Sequence, residues 1–111
     1  MLVAALAFAP APLEARPPLE IHVSPRFAVA PADLLISISI VPDEQNRKMT
    51  VSLASHTFLR ESTVDLEGTA APRISDFRFR SLPSGEYDVL VELFDASQRS
   101  RGWARGMVSI E

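Results

Sequence analysis

Ser81-Leu82-Pro83-Ser84-Gly85-Glu86-Tyr87-Asp88-Val89-Leu90-Val91-Glu92-Leu93 is a turn that runs straight into a strand. Pro83 fixes φ, and Gly85 tolerates the positive φ of a tight turn. Beyond them Tyr87, Val89, Val91 and Leu93 alternate with Glu86, Asp88 and Glu92. A period of two puts one set on a core and the other on water, so the stretch predicts a half-buried β-strand.

The same alternation recurs on both sides of it. Upstream, Leu34, Ile36, Ile38 and Ile40 share one face, and Ser37 and Ser39 the other. The β-branched content argues against a helix there. Leu19 to Ser24 alternates as well and is ended by Pro25, and Phe27 to Ala30, between Pro25 and Pro31, reads as an edge segment. Met49, Val51 and Leu53 mark another strand. Ser55 to Glu61 reads as irregular or a short edge strand, followed by a separate short strand at Thr63 to Leu66. Ile74 to Arg80 points Phe77 and Phe79 inward. Downstream, Asp95 to Gly102 is a polar hairpin loop, and Trp103 to Ile110 closes the chain with Ala104, Gly106, Val108 and Ile110 on one face.

Seven to eight short strands with turn signals between them and no helical stretch predict an all-β fold, an antiparallel two-sheet β-sandwich. Each strand carries a single apolar stripe, which two sheets bury by facing each other. The expected core is Ile21, Val23, Ile36, Ile38, Ile40, Val51, Leu53, Leu66, Phe77, Phe79, Tyr87, Val89, Val91, Val108 and Ile110.

The totals bound the function. The chain has 111 residues, a formal net charge of −3, 23% charged and 47% hydrophobic residues, and no cysteine. That is one domain with enough apolar surface for a core. There is no basic excess for nucleic acid, and no disulfide framework, thiolate metal site or thiol nucleophile. Residues 1 to 15 hold an unbroken apolar run, Leu2 to Ala9, with small residues after it. The run is too short to span a bilayer, which takes about 20 residues, and reads as a secretory signal, although no Lys or Arg precedes Arg16. Residues 16 to 18 are a stiff linker and residues 19 to 111 the domain.

The segment Leu82-Pro83-Ser84-Gly85-Glu86-Tyr87 resembles the Leu-Pro-x-Gly-x-Tyr turn of bacterial immunoglobulin-like and prealbumin-like modules. It is also similar to the tyrosine corner of fibronectin type III domains, with a shorter Leu-to-Tyr spacing. The resemblance implies an immunoglobulin-like Greek key. It makes Leu82, Pro83, Gly85 and Tyr87 a structural tyrosine corner, the Tyr87 hydroxyl bonding a nearby backbone group. The two cysteines of antibody domains are absent.

No spacing in the chain carries catalysis. His22 and His56 stand alone, outside any HxH or HExxH pattern, and no serine lies in a Gly-x-Ser-x-Gly turn. The carboxylates are spread one or two to a turn, without the alternating Asp run of a calcium loop. The feature with most to explain is the last strand. With Val108 and Ile110 inward, Trp103 and Met107 face out beside Leu90, flanked by Arg105 and Glu92. Trp, Met and Arg are enriched at interfaces.

The sequence therefore predicts a non-enzymatic, exported immunoglobulin-like module for protein interaction or spacing at the cell envelope, periplasmic or extracellular. Leu90, Glu92, Trp103, Arg105 and Met107 form its interaction face, and it needs no cofactor. Its partner is a protein or a second copy of itself, or a glycan, with no nucleic acid and no membrane span after signal cleavage. The alternatives are a carbohydrate-binding module, with Trp103 stacking on a sugar, and an accessory domain of a larger secreted enzyme.

Overall fold

The computed structural model describes residues 17–111; the expected signal segment at 1–15 and Arg16 of the linker lie outside the described residues. Eight strands follow in order: β1 (Leu19–Ser24), β2 (Phe27–Ala28), β3 (Ala32–Ile40), β4 (Lys48–Ser55), β5 (Phe58–Asp65), β6 (Ile74–Leu82), β7 (Gly85–Phe94) and β8 (Ser100–Ile110). They form two sheets, β1-β3-β6 and β2-β8-β7-β4-β5. The protein is all-β, as expected. No helix of the described residues is long and apolar enough to cross a membrane.

The core lies between the sheets. From the smaller sheet come Leu34, Ile36, Ile38 and Phe79, and from the larger Met49, Val51, Leu53, Tyr87, Val89, Val91, Leu93 and Val108, all buried. Strand alternation places these residues inward without exception in β3, β4 and β7. Ile21 and Phe77, expected in the core, are only partly buried, because β1 and β6 are the edges of the smaller sheet.

Two elements differ from the expectation. Phe58–Asp65 is one continuous edge strand: of the two readings of Ser55 to Glu61 the irregular one fails and the edge strand holds, and it runs on into the strand expected at Thr63 to Leu66. β5 pairs with β4 from Ser55↔Phe58 to Lys48↔Asp65, across the two-residue turn His56-Thr57. As an edge strand it packs its inward Phe58 and Val64 only partly, so apolar alternation along it is weak. Nor is pairing wholly antiparallel. The chain leaves the smaller sheet at Pro25, which has no N–H for a ladder, and β2 joins the larger sheet parallel to β8, with Phe27↔Ser109 and Ala28↔Ile110.

β1 and β8 close one side of the sandwich. Gly106 makes this contact: a Cβ there would lie 3.1 Å from Val23 Cγ2 and 3.3 Å from Ile21 Cδ1. At Gly102 a Cβ would collide with the Pro18 ring, so the entering chain lies against β8 next to Trp103.

Candidate functional site

The outer face of the five-stranded sheet is built by register. On β7 and β8, Leu90 stands opposite Arg105, Glu92 opposite Trp103 and Asp88 opposite Met107. Across β7 from β8, Ser52 and Ala54 of β4 stand opposite Leu90 and Asp88. Trp103 and Met107 are each 64% exposed and Leu90 is 40% exposed. Ser52 and Ala54 are small, so the larger side chains of β7 and β8 rise beside them. The result is an open concavity of about 500 Å³ lined by Ser52 and Ala54, by Asp88, Leu90 and Glu92, and by Trp103 and Arg105.

Its electrostatics are of mixed sign. Arg105 Nη2 donates to Asp88 Oδ1 at 3.0 Å, and both side chains are about half exposed. An ion pair in water contributes little to stability. Its effect is to hold a guanidinium and a carboxylate upright, each with hydrogen-bonding capacity left over. Glu92 adds a second carboxylate beside the indole. An aromatic face, an aliphatic neighbour and polar groups of both kinds thus share one concave surface. This suits a ligand with an apolar face and a hydroxylated edge.

Among the residues singled out in the sequence, Leu90, Glu92, Trp103 and Arg105 come together in that concavity. Met107 lies one alternation further along β8, outside it. Leu82 at the end of β6 and Tyr87 at the start of β7 are buried, away from this face, and the Tyr87 hydroxyl donates to the Pro83 carbonyl oxygen at 2.7 Å. Sequence reasoning missed Ser52 and Ala54. Their outward phase is readable, but that β4 lies beside β7 is not.

The histidines are far apart in the topology. His56 is in the β4–β5 turn, and His22 is exposed on the outer face of the smaller sheet, abreast of Ser37 and Asp76. That row is not a catalytic triad: Ser37 Oγ donates directly to Asp76 Oδ1 at 2.6 Å, whereas a triad needs the imidazole between the hydroxyl and the acid.

No protein-family model and no curated protein matches the chain. Among solved structures it is similar to a superoxide reductase (neelaredoxin) from Ignicoccus hospitalis, with a TM-score of 0.62, 16% identity, and coverage of 84% of this chain and 80% of that one. A variant of that reductase matches with a TM-score of 0.62 at 15% identity, covering 86% of this chain and 81% of the other. A family 76 glycoside hydrolase from a bovine Bacteroides thetaiotaomicron strain matches with a TM-score of 0.57 at 12% identity, over 81% of this chain but only 19% of the hydrolase. At these identities the likeness establishes the fold.

These findings correct the family reading. Over 84–86% of the chain the fold is like that of a superoxide reductase, so the immunoglobulin-like, fibronectin type III-like and prealbumin-like assignment is overturned. The Leu82-to-Tyr87 motif misled because it reports one local turn and its hydrogen bond, which many sandwiches can make. The expectation of a non-enzymatic immunoglobulin-like module falls with it, since the matching structures are enzymes. Scanning for short catalytic spacings could not find that relationship, because a sandwich draws site residues from different strands.

Reducing superoxide takes a redox centre, and the residues of this chain do not fit a metal one. There is no cysteine, the two histidines are on different sheets, and among the described residues no group of three or more His, Cys, Asp or Glu could hold a metal ion.

Proposed function

We propose that the chain binds a saccharide across the outer face of its five-stranded sheet, with Trp103 as the stacking platform. The observation that carries this reading is the 64% exposed indole standing over an open concavity whose other groups are Arg105, Asp88, Glu92 and Ser52. The C–H face of a sugar ring packs on an aromatic plane, while its hydroxyls donate to carboxylates and accept from a guanidinium. Mixed charge favours an uncharged polyol over a polyanion, which the two carboxylates would repel. The occurrence of this fold as a small part of a glycoside hydrolase supports the setting.

The test is a titration of neutral oligosaccharides into the purified chain, read by the fluorescence of its single tryptophan. Saturable change, absent on adding free glycerol and abolished in binding assays of Trp103→Ala, is the expected result. No saturation with any sugar would overturn the reading.

Superoxide reduction is a second reading that rests on the likeness of fold alone, against a residue set that does not fit a metal centre. Its direct test is superoxide consumption by the purified chain with and without added ferrous iron. Turnover above that of free iron would support it, and its absence would leave the shared frame without the shared reaction.

A further inference from the structure

We infer that the ligand surface extends along β8 from Trp103 to Phe27, and that its occupant is a linear, neutral oligosaccharide and not a single sugar. The inference rests on the saccharide reading above and adds a second subsite. Among the described residues, β8 has no hydrogen-bonded strand on its outer side before Ser109, where Phe27 of β2 pairs with it, although Pro18 and β1 pack against it. Along that edge lie two more hollows, the nearer of which shares Arg105 with the first. One, of about 300 Å³, is lined by Ile21, Val23, Arg26, Arg105, Gly106 and Met107. The next, of about 260 Å³, shares Arg26 and Met107 with it and reaches Phe27, Glu86 and Ser109. Arg105 joins the Trp103 concavity to the middle hollow, and Met107 joins the middle hollow to the last.

Gly106 faces inward with Val89 and lets Val23 and Ile21 of β1 pack against β8, and the middle hollow lies beside that contact. Phe27 is 78% exposed, and its register with Ser109 puts it on the same outward face as Trp103. Six residue steps along β8 lead from Trp103 to Ser109, about 20 Å at about 3.3 Å per step. Two aromatic platforms at that separation, with aliphatic Met107 between them, match a chain of rings better than one ring. The charges along the path alternate in sign: Glu92, the Arg105–Asp88 pair, Arg26, and Glu86, which accepts from Ser109 Oγ at 2.9 Å. A run of charges of both signs complements hydroxyls, which both donate and accept, and repels neither end of a neutral chain.

The experiment compares affinities for linear glucose, mannose, xylose and N-acetylglucosamine oligosaccharides, from disaccharide to hexasaccharide, measured by calorimetry. The proteins are the wild type, Trp103→Ala, Phe27→Ala and Leu59→Ala. Leu59 is equally exposed on the far edge of the same sheet, off the β8 path. A thermal melt of each variant checks that it is folded. The expected pattern is affinity that climbs with chain length in the wild type. Trp103→Ala loses binding at every length. Phe27→Ala loses about tenfold for the long oligomers alone, and Leu59→Ala changes nothing. Binding that needs Trp103 but is indifferent to length and to Phe27 would overturn the extended path and leave the saccharide reading intact. Sensitivity to Leu59 in place of Phe27 would also overturn it, by sending the ligand across the strands. Absence of binding by every oligomer would overturn both.

Discussion

The backbone N–H of Ser81 donates to Asp33 Oδ1 at 3.0 Å across a bulge that joins β3 to β6. Ser81 sits at φ +54, a left-handed conformation that costs a residue with a Cβ about 1–2 kcal/mol. The turn before β7 therefore starts from a strained residue held by a neighbouring carboxylate. Ser81→Gly should relieve the strain and raise stability by about 0.5 kcal/mol after the added freedom of the unfolded chain is subtracted. Asp33→Ala should lower it by about 1 kcal/mol, since the bond is exposed and water replaces part of it. Urea midpoints at constant slope would read both changes.

Tyr87 is fully buried, with its ring 5.7 Å from Phe58 at an 82° edge-on angle and its hydroxyl on Pro83. Tyr87→Phe keeps the ring contact and removes only the hydrogen bond. The expected loss is about 1 kcal/mol. Tyr87→Ala, which empties the site as well, should cost about 3–5 kcal/mol. A chemical melt that found the two substitutions equal would show that the ring, and not its hydroxyl, is dispensable.

The loop between β7 and β8 has a pH dependence of known sign. The Asp95 carboxylate is held below its ordinary value of 3.8, mainly by the Arg99 backbone N–H, against an upward push from desolvation; the Ser97 N–H and the guanidinium groups of Arg99 and Arg101 add to the lowering. Its folded pKa is thus lower than its unfolded one. The stabilisation is fully present above the ordinary value and is lost as pH falls through the folded value. Asp95→Asn should be less stable than the wild type at neutral pH, and the gap should shrink as pH drops below about 4. Stability curves of the two proteins from neutral to acid pH would show the convergence.

Core and face should separate under mutation. Ile38→Ala removes a buried side chain between the sheets and should cost about 2–5 kcal/mol. Trp103→Ala removes an exposed one and should leave stability within about 0.5 kcal/mol while removing saccharide binding. A destabilisation by Trp103→Ala as large as that of Ile38→Ala would make the indole a packing residue.

The strands and their faces were legible in the chain because alternation is a local property. Leu34 to Ile40 and Tyr87 to Leu93 announce which side is dry, and the phase of Val108 and Ile110 alone puts Trp103 and Met107 on the outside. Edge strands were harder. β5 lost its continuity in the sequence because Phe58 and Val64 bury too little to stand out between Arg60, Glu61 and Thr63.

What the sequence by itself determined is therefore an all-β sandwich, most of its core, and the outward phase of its last strand. Only the tertiary structure decided which strands are neighbours. That step put Ser52 and Ala54 beside Leu90, Asp88 beneath Arg105, and Phe27 at the end of β8. It also decided the likeness of fold, which covers 84% of the chain and overruled a six-residue turn. The physical reason is that a strand pairs through backbone N–H and C=O groups that are the same in every residue. Side chains state which face of a strand is buried, while its partners are chosen by how the complete set of strands closes around one core.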